Sequence, residues 1–224
     1  MRSMGRLNET LARAPGLVAG RVCFVAKLDT IVGGSPIPTR FALLCGWESG
    51  EARDEFLSDT PRLRPLLGAA RESWAVSLET VRVVQGEWHG WQPSIEGVES
   101  LARDEPVMVM TYGLLRPRYL PAFTRDNVKA VRQAAVNPGL EMMIGLGDHP
   151  LARCTFSLWR SQGDLVRYAY GTGEHNPIQR RSLEAPWARN YFFARFRPLS
   201  SSGTWGGRDP LAELRKGTAA PVPA

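Results

Sequence analysis

Lysine is scarce in this chain of 224 residues. Lys27, Lys129 and Lys216 are the only ones, and arginine supplies the rest of a formal net charge of +6. A codon preference for arginine explains this as readily as binding to carboxylates, phosphates or an anionic membrane surface, and both readings stay open. The arginines are scattered. There is no basic run interleaved with aromatics and no common nucleic-acid motif, so nucleic acid is not an expected partner. Cysteine is equally sparse. Cys23, Cys45 and Cys154 lie far apart in apolar stretches with no Cys-x-x-Cys. That argues against a disulfide framework or a thiolate zinc site and suits buried free thiols in a reducing cytosol. No uninterrupted apolar run approaches the roughly 18 residues of a membrane-spanning helix. The basic start, Met-Arg-Ser-Met-Gly-Arg, is not followed by an apolar signal core. The expected location is the cytoplasm, with contact at the inner face of a membrane open to it. Three further motifs are missing: a Gly-x-Ser-x-Gly elbow, a His-x-x-x-His or His-Glu-x-x-His pair, and the third glycine that Gly171-x-Gly173 would need for a nucleotide loop.

The chain does have a balance of 43% apolar and 22% charged residues, enough for a sizeable core, and an internal repeat. A polar-capped helical stretch over residues 8–14 ends at Pro15-Gly16-Leu17 and runs into an apolar stretch over 18–28. In the second half a helical stretch over 124–137 ends at Pro138-Gly139-Leu140 and runs into Met142-Met143-Ile144. The next strands also match, 41–47 with 154–159, each ending at a tryptophan, Trp47 or Trp159. In the second, Ala152, Cys154, Phe156 and Leu158 alternate with Arg153, Thr155 and Ser157. Short helices over 51–57 and 164–170 follow. Then come Trp74 or Trp187, strands over 76–84 or 191–197, and a closing Gly-x-Trp-x-Gly at 86–90 or 203–207.

With an opening strand over 107–115, the second copy reads β-α-β-β-α-β, the ferredoxin-like split βαβ unit. The first copy lacks its opening strand. The expected fold class is α+β: tandem ferredoxin-like repeats packed sheet to sheet around a ligand cavity, as in dimeric α+β barrels. The expected segments are a first repeat over 1–91, a linker over 92–105, a second repeat over 106–210 and a frayed tail over 211–224.

Three histidines are candidates for chemistry. His89, inside the first closing motif, reads as a loop residue. His149, in Gly147-Asp148-His149-Pro150, reads as a surface turn. His175 stands in Gly171-Thr172-Gly173-Glu174-His175-Asn176-Pro177, ahead of a helix start, and the first copy has no histidine near its Thr60-Pro61-Arg62-Leu63. A duplicated fold with one active centre breaks its symmetry there, and a single imidazole suffices to ligate haem iron. A helix-capping histidine is the alternative, and both readings stand. The acids Glu51, Asp54 and Glu55 read as a solvated helix face, and the recurring tryptophans as core.

Several pieces together resemble the spheroidene monooxygenase family, carotenoid ketolases of phototrophic bacteria and their relatives. They are Arg13-Ala14-Pro15-Gly16-Leu17, Ala70-Arg71-Glu72-Ser73-Trp74, Leu115-Arg116-Pro117-Arg118-Tyr119-Leu120, Thr155-Phe156-Ser157-Leu158-Trp159, Gly173-Glu174-His175, Tyr191-Phe192-Phe193-Ala194-Arg195-Phe196 and the run from Gly203 through Leu211. The resemblance implies a dimeric α+β barrel-like fold and a haem-dependent monooxygenase that oxidises the end of an acyclic carotenoid with electrons from a ferredoxin. It implies His175 as axial haem ligand, and Arg71, Arg116 and Arg118 as holders of the propionates or as structural salt bridges. The loop over 29–38, His149 and the missing first strand depart from the family pattern and bear on the substrate. A non-catalytic binder of an apolar ligand, or a haem enzyme of another class such as a dehydratase, are the alternatives.

Overall fold

The fold is described from a computed structural model over residues 9, 11–28, 35–58, 68–171 and 187–218. The hairpin β1 (Leu17–Lys27) and β2 (Ser35–Trp47) leads to helix α1 (Gly50–Ser58) and strand β3 (Trp74–Gly86). The second half comprises β4 (Val107–Leu115), α2 (Leu120–Ala135), β5 (Leu140–Gly147), β6 (Ala152–Trp159), α3 (Gln162–Tyr170), β7 (Ala188–Gly203) and α4 (Pro210–Thr218). Local chemistry sets the boundaries. Ser161 caps α3 by accepting from the Asp164 N–H at 3.0 Å, and α2 carries a proline in its first turn.

The strands form one antiparallel sheet in the order β2-β1-β5-β6-β4-β7-β3. In the second half, β4 and β5 are joined through α2 but parted by β6. Strands β6 and β7 are joined through α3 but parted by β4. This is the split arrangement read from the sequence. The first half builds no separate sheet to stack against it. Its hairpin extends the β5 edge and β3 extends the β7 edge, so the expected sheet-to-sheet packing is replaced by edge-to-edge continuation. The twisted sheet curls, and its inner face packs on itself. Ala42 and Leu44 of β2 and Trp74 and Val76 of β3 join the same core as Met110, Phe156 and Phe192. Each such large apolar side chain contributes about 1.5–3 kcal/mol when fully buried. Strand β4 lies between β6 and β7. The corresponding place in the first half, between β2 and β3, is where the sheet is open.

The halves share local devices. The Gly16 carbonyl accepts from the Glu48 N–H, and the Gly139 carbonyl from the Arg160 N–H, both at 2.8 Å. A Cβ on Gly16 would lie 2.5 Å from that of Ala52 in α1, and one on Gly139 would lie 2.4 Å from that of Asp164 in α3. The Pro-Gly stops therefore let each turn touch the following short helix. Trp47 packs on Phe56 with ring centroids 5.0 Å apart, and Trp159 on Tyr168 at 4.8 Å. In the closing motifs Gly86, His89 and Gly90 have φ of 72°, 51° and 82°. Gly203, Gly206 and Gly207 have 77°, 65° and 81°. Each motif folds over one isolated bridge, Trp88 with Trp91 and Trp205 with Arg208.

Two segments differ from expectation. The tail read as frayed is helical to Thr218. Leu211 and Leu214 are buried in the main core. Asp209 caps this helix, accepting from the N–H groups of Leu211 and Ala212, the indole of Trp74 at 3.0 Å and the hydroxyl of Ser201 at 2.7 Å. One carboxylate thus ties α4 to β3 and β7, an assembly that a local reading of an Ala/Pro-rich end misses. Residues 219–224 lie outside the described residues. The segment 92–105 has no helix or strand but is pinned down. Leu101 is buried beside Trp159 and Leu165, and the carbonyls of Arg103 and Glu105 accept from the first residues of α3. No helix among the described residues is long and apolar enough to cross a membrane.

Glycines of like φ should respond differently to a methyl group. A Cβ on Gly86 would fall 1.8 Å from the Tyr191 carbonyl oxygen, and one on Gly203 would fall 2.1 Å from that of Ser73. Gly97, at φ 73°, has open space. Gly86→Ala and Gly203→Ala should each cost about 3–5 kcal/mol, and Gly97→Ala about 1–2 kcal/mol, in urea unfolding.

Candidate functional site

The curled sheet is packed on its inner face. On its outer face, beneath α2 and α3, lies a cavity of about 740 Å³, within the usual size range of ligand pockets. Strand alternation decides which residues form its floor: Val109, Thr111 and Gly113 of β4, Arg153 and Thr155 of β6, and Phe193 and Arg195 of β7. Phe123, Asn127 and Val131 of α2, Tyr168 and Tyr170 of α3, and Trp187 enclose it. Phe24, Ala26 and Val84 reach it from the first half. The pocket therefore belongs mainly to the second half and does not lie between the two copies. The matching space over α1 is closed by Leu11, Ala14, Val22 and Phe56, packed with Trp47 and Cys45. The two halves differ here: one sheet–helix layer is filled and the other is hollow.

Two cations face this largely apolar space. Arg195 is 8% exposed, and its guanidinium donates to the Tyr170 hydroxyl at 3.3 Å. Arg153 donates to the backbone carbonyls of Pro150 and Ala152, and burial pulls its pKa below the ordinary arginine value. Among the described residues no carboxylate pairs with either. Arg153 is in register with Gly113, and Arg195 with Val109, so their Cα positions are spaced by about 13 Å along β4. A buried cation without a counter-charge is unfavourable unless a ligand supplies the anion.

The residues expected from the sequence are distributed unevenly. His175 lies outside the described residues, while Tyr170 and Trp187, which flank its segment, both line the cavity. Arg116 borders the wall. Its N–H donates to the Trp187 carbonyl at 2.7 Å, and its Nε is buried without a partner. Arg71 is exposed at the start of β3. Arg118 is exposed, with its guanidinium 4.7 Å from the Tyr119 ring centre. Neither lines the cavity. Arg153 and Arg195 were not singled out from sequence, although a signal existed. Arg153 sits on the polar side of an alternating strand, and Arg195 is the one charge in an aromatic run.

The other histidines are engaged. His149 lines the cavity, but its Nδ1 accepts from the Leu151 N–H at 3.1 Å, which leaves the proton of the neutral ring on Nε2. His89, read as a loop residue, bridges the halves. Its Nε2 lies 2.6 Å from Asp148 Oδ2, and its Nδ1 lies 3.2 Å from a guanidinium nitrogen of Arg21. Asp148 is also a cavity residue. Burial pushes its carboxyl pKa up. The hydrogen bond and charge of His89, its own backbone and Arg21 outweigh that and hold it below the usual carboxylate value. His89 is the described non-glycine residue with positive φ, at 51°, a conformation costing about 1–3 kcal/mol. Burial lifts the thiols of Cys23 and Cys45 to about 12, and Cys154 rises as well, so none is a ready nucleophile.

No family model matches the chain. The chain is 28% identical over 174 residues to a spheroidene monooxygenase of Rhodobacter capsulatus, covering 77% of this chain and 72% of that one. It is 24% identical over 188 residues to a spheroidene monooxygenase of Cereibacter sphaeroides, covering 82% of this chain and 57% of the other. Among solved structures, an aldoxime dehydratase superposes with a TM-score of 0.54 at 10% identity, over 96% of this chain and 81% of that one. That likeness concerns the fold.

Replacing Arg195 by the apolar Met should stabilise the ligand-free protein by about 1–3 kcal/mol in urea unfolding, because it removes a buried charge that no carboxylate among the described residues pairs with. Asp148 gives an acid signature. Its folded pKa lies below the unfolded value of about 3.9. Its stabilising contribution is complete above that value and is lost as pH falls through the lowered folded pKa. In acid titrations of stability, the difference between wild type and Asp148→Asn should shrink as pH drops below about 4.

Proposed function

We propose that the chain is a haem-dependent monooxygenase of the spheroidene monooxygenase family, acting on the end of a long apolar substrate such as an acyclic carotenoid. The observation that carries this reading is the hollow second sheet–helix layer, apolar but faced by two cations that no carboxylate among the described residues pairs with, in a chain similar to two monooxygenases over most of its length. Haem suits such a space, having an apolar macrocycle and two carboxylates. Arg153 and Arg195 would hold the propionates by charge-assisted hydrogen bonds, with the orphaned Nε of Arg116 as a further donor at the wall. This assignment takes the place of Arg71 and Arg118, which are exposed and do not line the cavity. The family resemblance makes His175 the residue that would bind the haem iron; in the sequence its segment lies between Tyr170 and Trp187, which both line the cavity.

When bound, haem supplies the activation of dioxygen that no side chain performs. The protein's own contribution is binding, orientation and exclusion of water. Phe24, Phe123, Phe193 and Trp187 give the substrate an apolar channel, and Thr111, Thr155 and Asn127 offer the few polar contacts able to fix its orientation. Electrons would come from a ferredoxin-type donor.

The visible spectrum of reconstituted protein tests the reading. A Soret band should appear on adding haem and should shift or vanish in His175→Ala. Arg195→Met should weaken haem binding about ten-fold or more, the reverse of its effect on the ligand-free protein. Product that requires both dioxygen and an electron donor identifies a monooxygenase; turnover without a donor identifies a dehydratase-type enzyme instead.

A further inference from the structure

The closing motif of the first half carries a group that its counterpart lacks. His89 stands where the second half has Gly206, in a turn of the same shape, at a φ that favours glycine. Retaining an imidazole at such a position calls for a compensating interaction, and its partner is Asp148. That carboxylate has an 8% exposed side chain and lines the cavity, whereas 23% of the His89 side chain remains in solvent. The pair therefore runs from water to the cavity wall through one contact of 2.6 Å. Arg21 fixes the direction. Its guanidinium nitrogen faces Nδ1 at 3.2 Å, so the resting ring carries its proton on Nε2, aimed at Asp148 Oδ2. The other groups around the pair are Tyr112, whose ring centre is 5.7 Å from that of His89, the thiols of Cys23 and Cys154, and His149. Burial raises Tyr112 to about 12 and also raises both thiols, so none of these three competes as a proton donor near neutrality.

We infer that His89 and Asp148 form a proton relay into the cavity, with Arg21 as its positioning residue. The inference rests on the monooxygenase reading. Oxygen insertion converts C–H to C–OH and releases the second oxygen atom of dioxygen as water, consuming two electrons from the donor and two protons. In the relay, a solvent proton first enters at Nδ1 as the Arg21 guanidinium turns aside, the imidazolium so formed passes its Nε2 proton to Asp148 Oδ2, and Asp148 releases that proton to an acceptor in the cavity. The ring is left neutral with its proton on Nδ1, and exchange with water restores the resting tautomer. An apolar cavity holds little water of its own, so a dedicated route has a function there.

The test uses haem-reconstituted full-length protein. His89→Gly recreates the turn present at Gly206, so folding is retained. Product formation should fall about ten-fold or more, with the haem spectrum unchanged, and added imidazole should restore it. Asp148→Asn keeps a hydrogen-bond acceptor but cannot take up and release a proton, so it should lose activity without imidazole rescue. A second readout needs no turnover: the Nε2 proton of His89 should give a far-downfield NMR resonance, absent in both variants and regained when imidazole fills the His89→Gly site. Full activity in His89→Gly, or rescue of Asp148→Asn by imidazole, overturns the relay while leaving the monooxygenase reading intact. A wild type that forms no oxygenated product, yet shows the downfield proton and imidazole binding, overturns the monooxygenase reading and supports the proton site.

Discussion

Strands β3 and β7 pair antiparallel from Trp74 opposite Gly203 to Gly86 opposite Phe192, and the other long-range features depend on this seam. It joins the last strand of each half, so the two halves share one sheet. Its ends need glycine. At Gly86 and Gly203 the chain turns with positive φ against the carbonyl of the opposite strand, with no room for a side chain. With the seam in place, β7 becomes an interior strand and the inner face curls into a packed core. The outer face of β4, β6 and β7 is left to be roofed by α2 and α3.

The two halves share the devices of the framework, and they differ at the cavity. The Pro-Gly stops, the strand-end tryptophans stacked on the following helix and the closing turns recur with nearly the same geometry. These devices solve the same backbone problems in both halves. The departures are a sheet–helix layer that is filled in one half and hollow in the other, and an imidazole where the other half has glycine. Both fall where the reading concentrates chemistry, as expected when selection on function overrides selection on packing.

The electrostatics follow the same division. Several arginines of this lysine-poor chain meet carboxylates at the surface; Arg160 and Arg208, for example, both reach Glu141. Such exposed pairs contribute little to stability. Arg195, which is buried, and the part-buried Arg153 are different because they line the cavity and no carboxylate among the described residues pairs with them. Charge in this protein is informative where it is buried, and the total of +6 is a poor guide to it.

The sequence alone determined the local structure. Strand alternation, the Pro-Gly stops, the closing turns and the order β-α-β-β-α-β were legible because each depends on residues close in the chain, through side-chain periodicity and backbone dihedral preference. Its polar strand face was legible too, as Arg153, Thr155 and Ser157 alternating with an apolar side. The tertiary structure decided what that face meets. That the halves continue edge to edge, that α2 and α3 roof a cavity there, that Arg71 and Arg118 turn away while Arg153 and Arg195 turn in, and that His89 meets Asp148 across 59 residues all depend on strand register between distant segments. Register is set by the packing of the whole sheet, and no local pattern around a single residue encodes it.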